Sequence, residues 1–296
     1  MAGTFPEGLA LLPFLEEFDF RYNELDGTLP AYIANWKTLV DVGLQDCAFT
    51  GSIPHLWFES RSWTTLELMG NPITGTLSSN ISKLEDLIDF KLVRNKLTGT
   101  LTPEIGKLEN LYFLDLGSNE FDGPIPSAFG KLSNLVTMDL SRNSITGTIP
   151  EGIGGCVALI DLFLFQNLLT GPLPQRIWDM TNLTFIKLGG NMLTGAISNR
   201  LSTFSFLRQL EIENNQFNGS FPFRLANTDV RKIRAYGNKF DGNISTELCK
   251  LVENGKIDDL EFDCAAPLGG GTPEIFCPDD CCTVCCNPNG EQCVEV

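Results

Sequence analysis

The sequence predicts an α/β repeat solenoid, in which short strands from successive coils stack into a parallel sheet. An asparagine returns every 24 residues, a glycine follows each asparagine position four residues later, and apolar residues stand five and three residues before it. Self-similarity with a period of about 20 to 50 residues is typical of chains built from stacked, near-identical coils.

The asparagine column runs through most of the chain. Its positions are Asn23, Cys47, Asn71, Asn95, Asn119, Asn143, Asn167, Asn191, Asn215 and Asn238, and the last step is one residue short. A side-chain amide both donates and accepts hydrogen bonds, so a stacked column of amides can satisfy backbone groups that turn away from the strands. We therefore expect a structural ladder, in which Cys47 is the weakest member.

Two apolar columns define the strands. The column five residues before the ladder contains Phe18, Val42, Leu66, Phe90, Leu114, Met138, Leu162, Ile186, Leu210 and Ile233. A second column, three residues before the ladder, runs from Phe20 to Ala235. Strand residues two apart point the same way, so each coil contributes one strand with two inward side chains. The invariant glycine fits a tight backbone approach or a positive φ.

One full period, from Leu111 to Leu135, reads LYFLDLGSNEFDGPIPSAFGKLSNL. It resembles the unit LxxLxLxxNxLTGxIPxxIGxLxx of plant-type leucine-rich repeat proteins, and the likeness extends over about residues 3–245. The resemblance implies a right-handed superhelix of ten repeats of about 24 residues. It also implies a parallel sheet on the concave side and a second short strand near the Thr-Gly segment. Members of this family are mostly recognition modules.

We expect the repeat array to occupy residues 1–245 and a disulfide-rich cap or tail to occupy residues 246–296. The array starts inside a repeat, because Gly3 and Pro6 are in phase with Gly27 and Pro30. This phase favours a chain excised from a longer protein. Cys156 stands in a leucine column, so we expect it to be a buried thiol.

The tail contains most of the cysteines, namely Cys249, Cys264, Cys277, Cys281, Cys282, Cys285, Cys286 and Cys293. A dense, even set is typical of secreted disulfide frameworks, although its pairing cannot be deduced from sequence. A metal site at Cys282 and Cys285 is the alternative, but a well-spaced second pair is missing. The tail also resembles the caps of secreted and cell-surface repeat proteins from diatoms and related algae.

Composition excludes several classes of partner. The formal net charge is -16, and no run of basic residues occurs. Both argue against nucleic acid and against an anionic membrane surface. No stretch approaches about 18 consecutive apolar residues, so we predict no membrane insertion within this chain. Four glycosylation sequons begin at Asn80, Asn182, Asn218 and Asn243. With the cysteine-rich tail, they favour a secreted protein or the extracellular face of the plasma membrane.

Residues suited to catalysis are scarce. His55 is the single histidine, and it stands at a predicted turn without the partners of a catalytic triad. The glycine run at residues 269–271 lacks the following helix and lysine of a phosphate-binding loop. Carboxylates do pair along the sheet, but we expect the open surface to leave their pKa values unshifted. The sequence therefore predicts no enzyme, no cofactor and no metal.

The predicted ligand site lies on the outward positions of the strands. Acidic residues are in excess there, which favours a basic partner. Phenylalanines replace the usual charged or small residues at some of these positions, and those of neighbouring coils are close enough to form one apolar patch. The predicted ligand-binding residues are Phe113, Phe163, Phe165, Phe185, Asp139, Asp161 and Lys187.

The function expected from these features is extracellular recognition of a peptide, glycan or protein on the concave face. One alternative is an inhibitor of a wall-degrading glycosidase, because polygalacturonase-inhibiting proteins are similar in repeat type and number. Another is an ice-binding or adhesive structural protein, because the segments Thr74–Thr76, Thr98–Thr100 and Thr146–Thr148 resemble the threonine arrays of solenoid antifreeze proteins. The ligand and the oligomeric state are open at this stage.

Overall fold

The structure is a computed structural model. It describes residues 2–12, 14–60, 62–222, 224–225, 228–263, 275–276, 282, 284–286 and 293–295. The chain forms two compact units, one of Met1–Ile145 with Gly155–Leu159 and one of Thr146–Gly154 with Ile160–Val296. Both units repeat the same coil, in which a short strand is followed by a turn, a second extended segment and, in most coils, a 3₁₀ helix.

The strands up to residue 145 are β1 (Ala2–Thr4), β2 (Glu17–Asp19), β3 (Glu24–Thr28), β4 (Asp41–Gly43), β5 (Ala48–Thr50), β6 (Thr65–Glu67), β7 (Asp89–Lys91), β8 (Thr98–Thr100), β9 (Phe113–Asp115), β10 (Glu120–Asp122) and β11 (Thr137–Asp139). The 3₁₀ helices span Glu7–Leu11, Ala31–Asn35, His55–Glu59, Ser79–Lys83, Pro103–Lys107 and Ser127–Lys131. Strands β2, β4, β6, β7, β9 and β11 pair in parallel, in that order. The second strands form separate parallel ladders, β1-β3-β5 and β8-β10.

The strands that follow are β12 (Asp161–Phe163), β13 (Thr170–Pro172), β14 (Phe185–Lys187), β15 (Met192–Gly195), β16 (Gln209–Glu211), β17 (Gln216–Ser220), β18 (Lys232–Arg234), β19 (Lys239–Asn243), β20 (Asp259–Phe262), β21 (Ile275–Phe276), β22 (Val284–Cys286) and β23 (Cys293–Glu295). Here 3₁₀ helices span Glu151–Gly155, Gln175–Asp179 and Asn199–Thr203, and α1 spans Thr246–Glu253. Strands β12, β14, β16, β18, β20 and β22 pair in parallel, and β23 returns antiparallel to β22.

The two apolar columns form the core of each unit, which confirms the predicted parallel sheet. From Val42 to Ala235, every residue of these columns is at most 3% exposed. The same pattern continues after residue 245. Leu260 of β20 pairs with Ile233 of β18, and both Leu260 and Phe262 are fully buried. A further strand of the same kind therefore follows the ten recognised in the sequence.

Hydrogen bonds from the asparagine column join neighbouring coils within each unit. Nδ2 of Asn95 donates to the carbonyl of Leu68 in the preceding coil and to that of Leu92 in its own coil, both at 2.9 Å. Its Oδ1 accepts from the amide of Ile73, again in the preceding coil, at 3.2 Å. The same three kinds of bond are made by Asn71, Asn119, Asn143, Asn191, Asn215 and Asn238.

Both glycine and non-glycine residues adopt positive φ at fixed places in the coil. The invariant glycine does so as predicted, for example Gly99 at φ 77°. The residue just before the ladder position does so as well, and the sequence did not reveal this. Arg94 has φ 58° and Ser118 has φ 51°, whereas glycine occupies the same place at residue 70. Coils of this kind therefore contain two left-handed turns.

The cysteines separate into two groups. Cys47 and Cys156 are free thiols, and Cys156 is fully buried as expected, which raises the pKa of its thiol to about 12. Cys249 and Cys282 are disulfide-bonded, so the Cys282 thiol does not take part in the alternative metal pair. The other tail cysteines lie outside the described residues or are described by their backbone alone.

We expect the ladder amides to be a major source of stability. Asn95→Ala should lower the free energy of unfolding by about 3 kcal/mol, because the Leu68 carbonyl and the Ile73 amide lose their buried partner. Cys47→Asn should raise it by about 1 kcal/mol, since the present thiol only reaches the Phe20 carbonyl at 3.4 Å. Urea denaturation followed by circular dichroism measures both changes. An unchanged midpoint for Asn95→Ala would contradict the ladder's role.

Candidate functional site

The outward side chains of the parallel strands form an open surface in each unit, which we call the strand face. Strand residues alternate between two sides, so the middle residue of each strand is buried and its two neighbours point outward. In β9 and in β14 the middle residue is buried, and both flanking residues are half-buried. The strand face is therefore a packed layer of side chains that remains accessible to a ligand.

The predicted phenylalanines of the second unit alternate with charged residues on the strand face. Phe163 pairs with Lys187 on the neighbouring strand, and Phe185 pairs with Asp161. Nζ of Lys187 lies 5.7 Å from the centroid of the Phe163 ring, within cation–π range. Phe165 follows the end of β12 and is half-buried. The structure thus intersperses the aromatic rings with a lysine and an aspartate.

Phe113 and Asp139, the remaining predicted ligand-binding residues, lie in the first unit. Nζ of Lys91 stands 5.0 Å from the centroid of the Phe113 ring, and the Tyr112 ring packs edge-on at 4.8 Å. Asp139 pairs in register with Asp115. A lysine placed over a half-buried phenylalanine is therefore found in both units.

Ion pairs link the outward residues of the second unit. Glu211 lies between two lysines, with Lys187 at 3.6 Å and Lys232 at 3.9 Å. Arg234 forms an ion pair with Glu261, with 2.9 Å between Nε and Oε1. Burial raises the pKa of the Glu213 carboxyl, and its Oε2 is buried without a hydrogen-bond partner. This part of the strand face contains both charge signs and one carboxylate oxygen that lacks a donor.

The expectation that the strand face leaves its carboxylates unshifted is wrong. Burial, together with the neighbouring Asp139, raises the pKa of Asp115 to about 6. Burial also raises the pKa of Asp89, whose Oδ1 has no hydrogen-bond partner. Adjacent strands lie only about 4.8 Å apart, so outward side chains pack against one another and shield the carboxylates from water.

Other residues singled out in the sequence lie away from the strand face. His55 is exposed at the first residue of the 3₁₀ helix His55–Glu59. Thr98 and Thr100 are exposed on β8, where the next strand places Glu120 and Asp122 opposite them. The threonine rows of the first unit therefore meet charged residues at β10.

Three of the four glycosylation sequons have described side chains. Asn182 and Asn218 are exposed. Asn80 is half-buried and donates to Glu59 at 3.3 Å. The Asn243 side chain lies outside the described residues.

Comparisons with known proteins agree with the coil geometry. The family model for the leucine rich repeat matches residues 109–169. The leucine-rich repeat ectodomain of the membrane receptor kinase GASSHO1/SCHENGEN3 from Arabidopsis thaliana, solved with CASPARIAN STRIP INTEGRITY FACTOR 2, is 27% identical with a TM-score of 0.79. That alignment covers 89% of this chain and 34% of the receptor chain. No curated protein matches the chain by sequence.

Two further solved structures share the fold. The Arabidopsis receptor kinase HAESA, in complex with the peptide hormone IDA and the co-receptor SERK1, is 25% identical with a TM-score of 0.81, over 100% of this chain and 46% of that one. A plant ice-binding protein is 24% identical with a TM-score of 0.70, over 87% of this chain and 82% of that one. The chain thus has the leucine-rich repeat fold and spans less than half the length of the two receptor chains.

We expect Asp115 to make the stability of the protein depend on pH. Its folded pKa of about 6 lies above its ordinary value of 3.8, so its stabilising contribution is complete below pH 3.8 and is lost as the pH rises through 6. Asn does not titrate, so Asp115→Asn avoids this loss of stability. Its free energy of unfolding should therefore rise relative to that of the wild type between pH 3.8 and 6, by at most about 3 kcal/mol at neutral pH.

Thermal unfolding at a series of pH values from about 4 to about 8, which lie on both sides of the folded pKa, tests this expectation. Glu59→Gln provides a matched control, because Glu59 is an exposed carboxylate outside the strand face. A constant stability difference between Asp115→Asn and wild type over the whole pH range would contradict a raised pKa at Asp115.

Proposed function

We propose that this chain is a non-catalytic, extracellular recognition module that binds a peptide or protein ligand on its strand face. The observation that carries the proposal is the contrast between the two sides of each strand. The inward side is a fully buried apolar column. The outward side holds half-buried aromatic and charged residues, which lie outside that buried column. A glycan remains within the range of ligands that aromatic rings and carboxylates could bind.

The similar receptor structures support this proposal. HAESA was solved with a peptide hormone bound, and its alignment extends over 100% of this chain. This chain corresponds to 34% and 46% of the lengths of the two receptor chains. We propose that it shares their role in ligand binding. Over the described residues, no helix combines the length and the apolar character needed to cross a bilayer.

A basic ligand fits the strand face best. The chain has a formal net charge of -16. Asp115 and Asp89 in the first unit and Glu213 in the second all have raised pKa values because they are shielded from water. A cationic ligand would stabilise their charged forms, and long-range attraction would speed its encounter with the protein.

The phenylalanines of the second unit should act as binding anchors. Phe163→Ala combined with Phe185→Ala should weaken ligand binding at least about tenfold, because two aromatic side chains lose contact area on association. The thermal unfolding midpoint should change little, since both rings are half-buried on the outer side of the strands. Panning a random peptide display library on the wild-type protein supplies the peptides whose affinities are compared.

Phe206→Ala is the matched control for this experiment. Phe206 lies in the same unit, outside the strands, and is 59% exposed. It should leave peptide affinity unchanged. The selected peptides should carry a net positive charge. Equal affinity in the double variant and the wild type would remove these phenylalanines from the site, and neutral or acidic peptides would remove the preference for a basic ligand.

An extracellular location predicts glycans on the exposed sequons. Expression through a eukaryotic secretory pathway should yield a protein whose gel mobility increases after treatment with an N-glycosidase. Asn182→Gln and Asn218→Gln should each remove one glycosylated form, because both side chains are exposed. Mass spectrometry of the intact variants measures this. A secreted wild-type protein with no glycan at either site would contradict the expectation.

Ice binding is a second candidate, favoured by the exposed threonines of β8 and of the neighbouring coils. The face that carries them also carries Glu120 and Asp122 in direct register with Thr98 and Thr100. The likeness to a plant ice-binding protein is one of fold. The strand face therefore remains our principal proposal.

A further inference from the structure

Gly43 opens a recess in the strand face of the first unit. It ends β4, in register with Asp19 of β2 and Glu67 of β6, and it contributes no side chain to the surface. The resulting cavity has a volume of about 240 Å³. Around Gly43 it is lined by four carboxylates and one guanidinium, those of Glu17, Asp19, Asp41, Glu67 and Arg21.

Gln45 fills part of the space that Gly43 leaves and carries an unused acceptor there. The residue is 2% exposed, and its Nε2 donates to Oε2 of Glu67. This bond fixes the orientation of the amide, because a flipped amide would place two acceptors against each other. Its Oε1 is buried without a hydrogen-bond partner and points at Gly43, where an added Cβ would stand 3.3 Å from it.

A buried amide oxygen without a donor is costly, so its presence here needs a reason. Such groups in native proteins call for a specific explanation, such as a functional role, an ordered water or a bound ion. Gln45 does not itself line the cavity, but its unpaired oxygen and the Arg21 stem flank the same point above Gly43, which does. A ligand that donates hydrogen bonds and carries positive charge would satisfy this oxygen.

Arg21 shows which kind of group fits this cavity. Its Nε donates to Oδ1 of Asp19 at 2.8 Å, and its Cγ lies 3.5 Å from the position of an added Cβ on Gly43. The aliphatic stem of Arg21 thus lies across the recess. The side chain is 45% exposed, and its guanidinium makes a two-point contact with the Asp19 carboxylate. A cation that enters the recess would compete with Arg21 for this carboxylate.

We propose that the Gly43 recess binds the guanidinium group of an arginine side chain in the ligand of the strand face. This inference rests on the proposed recognition function and deepens it. A guanidinium has five N–H donors in one plane and no acceptor, which matches a lining with four carboxylates beside the unpaired Gln45 oxygen. The Asp41 carboxylate, which accepts from the Thr64 hydroxyl at 3.1 Å, supplies the paired oxygens that this geometry favours.

The test uses the full chain and a short probe, the capped tripeptide acetyl-Gly-Arg-Gly-amide. Its reference is the same peptide with citrulline in place of arginine, which keeps the shape and loses the charge. In ¹H–¹⁵N spectra, the arginine peptide should cause saturable shifts of the Gly43 backbone amide and the Gln45 side-chain amide. The citrulline peptide should cause none.

Variants then separate the recess from general electrostatic attraction. Asp41→Asn should weaken binding of the arginine probe about tenfold, as expected for one charge-assisted hydrogen bond. Glu59→Gln removes the same charge from an exposed carboxylate outside the strand face and should leave binding unchanged. Arg21→Ala should tighten binding, because it uncovers the recess and releases Asp19. Gly43→Ala should abolish the shifts, and its thermal midpoint shows whether it remains folded.

Equal shifts with the citrulline peptide, or equal weakening by Asp41→Asn and Glu59→Gln, would overturn the proposal. So would a lysine tripeptide that binds as tightly as the arginine one. The outcome is separable from the test of the proposed function. If display-selected peptides still require Phe163 and Phe185 while the arginine probe causes no shift at Gly43, the recess fails and the recognition function stands.

Discussion

The hydrogen bonds of the asparagine column are the constraint on which the rest of the structure depends. The Asn95 side chain binds the carbonyl of the residue 27 positions earlier and the backbone amide of the residue 22 positions earlier. A coil of another length would break both bonds unless the two separations changed together. Asn238 shows that they can, because its coil is one residue short and its separations are 26 and 21. The ladder therefore fixes the register in which every outward side chain is presented.

The glycine column explains why threonines recur beside it, a pattern that resembles an ice-binding surface. The Cγ2 of Thr76 lies 2.9 Å from where Gly99 would carry a Cβ, and the Cγ2 of Thr100 lies 2.8 Å from the same point on Gly123. A threonine methyl thus covers the glycine of the following coil, and no larger residue than glycine fits beneath it. Part of the Thr-Gly-Thr pattern belongs to the scaffold, which weakens the argument from threonines to ice.

Periodic contacts could be predicted from the sequence, whereas contacts specific to one coil could not. The ladder and the apolar columns recur in every coil, so each repeat gives independent support to the same assignment. The recess depends on two residues of a single coil. Gly43 leaves the space, and the side chain of Gln45 lies beside it. The raised pKa of Asp115 likewise depends on Asp139 in the next coil and on shielding by neighbouring side chains. No single repeat contains that information.

Three of the buried polar atoms without a hydrogen-bond partner lie on or next to the strand face. Among the described residues, Trp36, Ser60 and Trp63 each leave one buried polar atom unpaired outside the strands. The other three unpaired atoms are acceptors: Oδ1 of Asp89 lies on β7, and Oε1 of Gln45 and Oε2 of Glu213 lie two residues beyond the ends of β4 and β16. An array held together by so many ladder bonds can tolerate such costs without unfolding. Each of these three acceptors needs a donor, which a ligand rich in N–H groups would supply. The basic peptide proposed above would meet this need and would also bring positive charge to the carboxylates whose pKa values are raised.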